Sequence, residues 1–302
     1  MKTLFAIIVT YNGMKWYDRC FGSLRQSSVP IVPVVIDNAS SDGSVAYIRE
    51  HFPEAVVFEE KENLGFAKAN NVGMRYALDH GADYVFLLNQ DAWIVQPDTL
   101  ARMIGISERH PEYAILSPMQ LYGSGEQIVF ESKIYAARNE AEDWISDSYF
   151  GRLKELYEVQ YVCAASWFLP VSTLKTIGGF DPMFYHNGED DNYLQRVHYH
   201  GKKVGICPQV NVCHDCQGRT ADYNAATLDW RKYILINDCN INWNFDIDKA
   251  LRTKRRTILI QRLRFNRKLL KTSVPEYRYL MEMREKIRFS RETNKHLGEN
   301  WL

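Results

Sequence analysis

Four short apolar runs, each followed by a stretch of helical period, constrain this 302-residue chain more than anything else in it. Leu4-Phe-Ala-Ile-Ile-Val9 precedes an amphipathic stretch near 14–27. Ile31-Val-Pro-Val-Val-Ile36 precedes Ser40-Ser-Asp-Gly-Ser, where a Ser or Asp caps a helix that stops at Pro53. Val56-Val-Phe58 precedes a helix over 66–79 closed by Gly81. Tyr84-Val-Phe-Leu-Leu88 leads to a helix beginning at Pro97, a favoured first helical position. Strands alternating with helices imply a parallel sheet with right-handed crossovers. The expected fold class is therefore α/β: a Rossmann-like, mostly parallel sheet flanked by helices. In such sheets ligands bind in the crevice outside the carboxyl ends of the strands, so the polar residues there are the first candidates for chemistry.

The pattern is clear to about residue 120 and then loosens. The stretch 120–160 reads as an irregular excursion, Val159–Leu169 as another buried strand, 171–177 as a short helix, Glu189–His200 as a helix and 203–213 as strand segments. From Thr227 onward the pattern is mainly helical. One domain over 1–240 is expected, in halves of about 1–120 and 121–240, with a basic helical extension over 241–302. Apolar content of 46% and charged content of 25% are those of a globular protein. The first ten residues are too short and too quickly polar for a signal peptide, and no run reaches the roughly 18 apolar residues of a membrane span, which places the chain in the cytoplasm. Six cysteines suit free thiols there, and Cys213-His-Asp-Cys216 lacks the second pair of a structural zinc site.

Zero net charge hides an asymmetry. Residues 1–250 carry 22 Lys and Arg against 32 Asp and Glu, while 251–302 carry 15 against 5. A basic tail on an acidic body suits an anionic partner, either a membrane surface or the body itself. Nucleic acid fits less well, because no recognised motif accompanies the charge.

Five segments carry polar residues suited to chemistry. The first strand ends in Thr10-Tyr11-Asn12-Gly13 and the second in Asp37-Asn38-Ala-Ser40-Ser-Asp42-Gly43. A carboxylate after the second strand can accept from a ribose hydroxyl or a base N–H. Asn63-Leu-Gly65-Phe66-Ala-Lys68-Ala-Asn70 sets Asn63 and Lys68 near a helix N-terminus, where phosphate is favoured, and puts Asn70 on a buried face as a brace for a neighbouring loop. Asn89-Gln90-Asp91 closes the fourth strand with a carboxylate suited to a divalent metal, and His214 follows a later strand as a second ligand for Mn²⁺ or Mg²⁺. Glu189-Asp190-Asp191 holds three successive acids, whose mutual repulsion raises the pKa of a member and suits one of them to general base work. There is neither a Gly-x-Gly-x-x-Gly after the first strand nor a Gly-Lys-Ser/Thr anywhere, so a dinucleotide fingerprint and a P-loop are both absent.

In order, these segments resemble the inverting family 2 glycosyltransferases of the GT-A fold, in particular their rhamnosyltransferase-like branch in bacterial polysaccharide synthesis. The resemblance covers about residues 3–240. It implies a donor site of Thr10, Tyr11, Asn12, Asp37, Asn63, Lys68, Asn89 and Gln90, with Asp37 at the uracil or thymine base. It implies a Mg²⁺ or Mn²⁺ held by Asp91 and His214. Asp190, with Glu189 beside it, would deprotonate the acceptor hydroxyl. Arg196 matches a basic residue further along the same helix. Trp167 stands in the acceptor segment, where it either stacks on a sugar ring or fills core space. The partners implied are a UDP- or dTDP-sugar and a glycan or lipid-linked acceptor, with a homodimer open. The tail, with Leu259, Leu263 and Leu270 at helical spacing, reads as an amphipathic helix for the inner face of an anionic membrane. A nucleotidyltransferase and a catalytically silent scaffold are the competing readings. The first normally needs a Gly-rich, basic loop after the first strand, which Thr10-Tyr-Asn-Gly13 lacks.

Overall fold

The computed structural model describes residues 2–137, 144–185, 187–217 and 230–302. Its strands are β1 (Leu4–Thr10), β2 (Val32–Asp37), β3 (Val56–Glu59), β4 (Tyr84–Leu88), β5 (Ala92–Ile94), β6 (Tyr113–Tyr122), β7 (Tyr157–Glu158), β8 (Ser166–Pro170) and β9 (Lys203–His214). Its helices are α1 (Tyr17–Arg25), α2 (Ser44–His51), α3 (Gly65–Asp79), α4 (Thr99–Arg109), α5 (Phe130–Ala137), α6 (Trp144–Tyr149), α7 (Val171–Thr176), α8 (Glu189–Tyr199), α9 (Trp230–Asp238), α10 (Ile247–Leu263) and α11 (Arg267–Asn294). The strands form one mixed sheet in the order β3-β2-β1-β4-β8-β6-β9-β5, with β7 paired to β9. The first four strands are parallel neighbours, as the alternation demanded. β8 then joins antiparallel to β4 and to β6, and β6 runs parallel to β9.

β1 shows why the early runs are apolar throughout. Leu4, Ala6 and Ile8 face a core built with Tyr17, Phe21, Leu100 and Met103, while Phe5 and Ile7 face a second core with Met74, Trp167 and Phe180. Side chains alternate across a strand, so a strand covered on both faces has no polar position to spare. The chain runs outward from β1 to β3 and returns to β4 on the other side of β1. That reversal opens a crevice between the ends of β1 and β4, and both Thr10 and Asn89–Asp91 lie at it.

Two local expectations are revised. β6 was not among the strands read from the sequence, because Pro118 interrupts its apolar run; the strand accommodates the proline with a register shift between Pro118 and Met119. Helix α4 starts at Thr99, not Pro97, with Asp98 at its N-cap. The tail is a helical hairpin. Leu251, Leu280, Met283 and Ile287 close a small core with Phe184, Leu235 and Cys239, and residues 298–302 return to the body beside α7.

Candidate active site

Hydrogen bonds between loops build the crevice. The Thr10 hydroxyl donates to Asp37 Oδ1 over 2.9 Å, and Ser40 donates to the same carboxylate through its hydroxyl (2.6 Å) and its N–H (2.8 Å). Both Thr10 and Asp37 are buried, so their first task here is to brace the two loops. Three of roughly four acceptor positions on Asp37 are used, leaving one on Oδ2. The half-exposed Tyr11 lies above them, its backbone N–H and C=O paired to the Gln90 side chain at 3.0 and 3.1 Å. Asn12 accepts from Ser41 N–H and donates its own N–H to Ser40. Asn12 and Ala39 both hold positive φ, of 47° and 61°. Such backbone persists in non-glycine residues only where surroundings over-determine it, and it clusters at ligand clamps.

Asp91 sits at the end of β4, and Ala92 after it pairs with His214 across the β5–β9 ladder. His214 Nε2 comes within 3.4 Å of Asp91 Oδ1, and both side chains are buried. The contact is an ion-pair distance without hydrogen-bonding geometry, and neither imidazole nitrogen has a hydrogen-bond partner. Burial would push the imidazole down, but Asp91 and the Cys216 thiol outweigh it and push it up to about 9. An orphaned imidazole facing a buried carboxylate is a donor set that a divalent cation would satisfy. Among the described residues no group of three His, Cys, Asp or Glu side chains converges, so phosphate oxygens or water would complete the shell. The six cysteines are free thiols.

The 63–71 segment interlocks with the loop that precedes α8. Gly65 has φ +79°, and a Cβ there would run into the Tyr185 carbonyl oxygen, which accepts from Phe66 N–H at 3.2 Å. Asn63 receives the Tyr185 hydroxyl, and Lys68 stands exposed on the first turn of α3. The brace expected of Asn70 comes instead from its neighbour. Asn70 donates back to Phe66 within its own helix, whereas Asn71 donates to the carbonyls of Phe180 and Trp301 and accepts from Phe180 N–H at 2.7 Å. Trp167 does not stack on a sugar. It is 0% exposed, with its ring against Phe180 and Tyr193, so of the two roles weighed for it the core one holds. Arg196 is buried too, and its guanidinium donates to the carbonyls of Ile177 and Gly179 at 3.0 and 2.5 Å, bracing the same loop.

Asp190 is tied toward the crevice. Tyr161 donates to its Oδ2 over 2.5 Å, and the Ala164 backbone bonds it as well. The next residue, Ala165, accepts from Asn89 N–H at 2.9 Å. Burial pushes the Asp190 carboxyl up, against the pull of the Tyr161 hydroxyl and the Asp191 N–H. Glu189, 6% exposed with one oxygen unpartnered, is pushed up to about 8 by burial and then by the charge of Asp190. Asp191 is pushed up to about 6 for the same reasons. Three acids in the first turn of α8 are favoured by the helix dipole, yet their crowding keeps a proton among them near neutral pH.

The sequence reading missed one element of the site. Asp181 is 1% exposed and accepts from Ser290 (2.6 Å) and Asn294 (3.2 Å), both on α11. Gly178 has φ +82°, and a Cβ there would strike the Asn300 carbonyl, which accepts from Gly179 N–H. The loop bearing the carboxylates is thus clamped by the tail. Nothing local in Gly178-Gly-Phe-Asp181 pointed to partners more than 100 residues away.

A mixed α/β sheet with a polar crevice at its strand reversal, flanked by buried carboxylates, is an architecture that binds ligands outside its strand ends. The chain belongs to glycosyl transferase family 2, which its sequence matches over residues 5–178. It is 24% identical over 227 residues to the galactofuranosyltransferase GlfT1 of Mycobacterium tuberculosis, covering 71% of each chain. It is 31% identical over 132 residues to the bifunctional protein GlmU of Xanthobacter autotrophicus, covering 43% of this chain but 29% of that protein's length. Its fold is similar to that of S. aureus TarS 1–349 in complex with UDP (TM-score 0.56, 14% identity, 82% of this chain and 67% of that one). It is similar as well to the mannosyltransferase PcManGT from Pyrobaculum calidifontis in complex with GDP-Man and Mn²⁺ (TM-score 0.54, 20% identity, 83% and 65%). These likenesses establish the GT-A-like fold.

Proposed function

We propose that the protein is a metal-dependent, inverting glycosyltransferase of the rhamnosyltransferase-like branch. It moves a sugar from a UDP- or dTDP-sugar to a hydroxyl of a glycan or lipid-linked acceptor in cell-surface polysaccharide synthesis. The observation that carries this reading is the buried Asp91 carboxylate 3.4 Å from His214, whose two ring nitrogens have no hydrogen-bond partner, at the same strand ends as the Thr10–Asp37 brace. The solved relatives support it through the nucleotides, and in one case the Mn²⁺, that they contain.

In this reading the free acceptor position of Asp37 takes a base N–H, and Tyr11 and Asn12 flank the nucleoside. Asn63, Lys68, Asn89 and Gln90 line the diphosphate and sugar. Asp91 and His214 would hold Mg²⁺ or Mn²⁺, which supplies charge neutralisation for the diphosphate leaving group. Asp190 takes the proton of the acceptor hydroxyl. The oxygen then forms its bond to the anomeric carbon as the bond to the nucleoside diphosphate breaks on the opposite face. Glu189 shares the proton inventory of the pair, so the two titrate together.

Calorimetry with UDP and dTDP, with and without Mn²⁺, tests the donor half, and a panel of nucleotide sugars scored for donor hydrolysis identifies the sugar. Nucleotide binding that is tightened by Mn²⁺ and lost in Asp91→Ala is the expected result. Binding of neither nucleotide under either condition would favour the scaffold reading and sink this one.

A further inference from the structure

The hairpin of α10 and α11 is apolar where nothing covers it. Its inner face closes the small core through Ile247 and Leu251 of α10, and Ile258 further along the helix is buried as well. Beyond that point Leu259 is 52% exposed, Leu263 80%, Phe265 88% and Leu269 46%, gathered at the end of α10, the connecting turn and the start of α11. Phe265 holds the turn with φ 52°, a left-handed conformation that bulky residues avoid, and in doing so its ring faces solvent. Single exposed apolar residues are ordinary. A contiguous group at the tip of a projecting hairpin marks a surface of interaction. Between residues 255 and 271 there are seven Arg and Lys and no Asp or Glu.

We propose that this hairpin tip docks on an anionic lipid bilayer, with Leu263, Phe265 and Leu269 entering the headgroup–acyl boundary and the flanking Arg and Lys bound to lipid phosphates. Charge complementarity selects this occupant. A second copy of the tip would bring seven like charges against seven, and nucleic acid would satisfy the cations while leaving the leucines in water. Arg and Lys beside an apolar tip can bury their stems and keep their heads at phosphate level. No described helix is long and apolar enough to cross a membrane, so the tip lies on the surface. Trp230 of α9 packs edge-on against Tyr279 of α11 at 5.5 Å, and a Cβ added at Gly188, directly before α8, would press on Ile236 of α9. Docking therefore sets the carboxylate-bearing helix at a fixed attitude to the lipid surface. The inference stands on the tip alone and does not require the function proposed above.

Flotation of the full chain with vesicles tests it, using phosphatidylcholine alone and phosphatidylcholine with about 30% phosphatidylglycerol at low and high salt. The expected result is binding to the anionic vesicles, weakened by salt, and little binding to phosphatidylcholine. The variant L263S/F265S/L269S should bind at least about tenfold more weakly. The variant R262Q/R264Q/R267Q/K268Q should lose on the order of 10³-fold, at roughly fivefold per charge. Melting temperatures within about 2 °C of the parent would show that both variants remain folded. Three results would overturn the proposal: wild-type protein that fails to float with anionic vesicles, serine and parent chains that bind alike, or a sedimenting dimer that the serine variant turns into a monomer, which would make a second copy the occupant.

Discussion

The crevice at β1, β2 and β4 and the carboxylate loop before α8 are both polar, but they are held in opposite ways. The crevice supports itself: Thr10 and Ser40 bond to Asp37, Asn12 bonds to Ser40 and Ser41, and Gln90 bonds to the Tyr11 backbone, all at adjacent strand ends. The carboxylate loop depends on others: Asn71 of α3, Arg196 of α8, Ser290 and Asn294 of α11, and the Asn300 backbone hold residues 177–181. A polar crevice can be made by the register of a parallel sheet. A site bearing three mutually repelling acids needs to be clamped from outside.

That contrast can be broken at several points. Asp190→Asn should lower transfer by about 10²–10⁴-fold while nucleotide affinity, read by calorimetry, stays put. Retained turnover would remove the carboxylate from its role. Trp167→Ala should cost about 3–5 kcal/mol in urea unfolding, and Trp167→Phe far less, with no change in acceptor KM for the latter. A raised KM in the Phe variant would return the ring to the acceptor site. Asn71→Ala strands one N–H and two carbonyls and should cost about 2 kcal/mol, against under about 1 for Asn70→Ala; equal costs would show that the clamp is not where the contacts put it.

Proton linkage supplies a further test. The Glu189 carboxyl is raised in the folded state to about 8, so its buried charge is a penalty that grows as pH rises from its unfolded value toward 8. Glu189→Gln should therefore gain stability on the wild type across that window, by about 1 kcal/mol or more. Transfer should rise with pH over the upper part of the same window as the Glu189–Asp190 pair gives up its shared proton. A flat difference in melting temperature between pH 5 and pH 9 would count against the burial argument. Lys254→Ala, which removes a partly exposed ion pair with Glu276, should shift stability by no more than about 0.5 kcal/mol.

What the sequence made legible follows the same division. The first four strands and the polar residues ending them were readable, because each strand is apolar on both faces and the crevice falls where topology reverses. Beyond them legibility failed for identifiable reasons. Pro118 disguised β6. Asn70 and Asn71 are both buried on α3, and only the position of the Phe180 backbone decides which amide becomes the brace. Trp167 could be core or platform until Phe180 and Tyr193 were seen to enclose it. The tail read as an appendage by its charge, which belongs to its outer face, while its inner face contributes Ser290 and Asn294 to a loop 109 and 113 residues earlier.

The long reach of that clamp bears on how the chain comes to be made. A ribosome delivers Thr10, Asp37, Ser40 and Gln90 before half the polypeptide has emerged, but His214 comes later, and Asp181 waits for more than a hundred further residues before Ser290 can meet it. Nascent protein would thus acquire the brace of its crevice well ahead of an ordered set of acids. A chain halted in between would have a braced crevice facing an untethered loop.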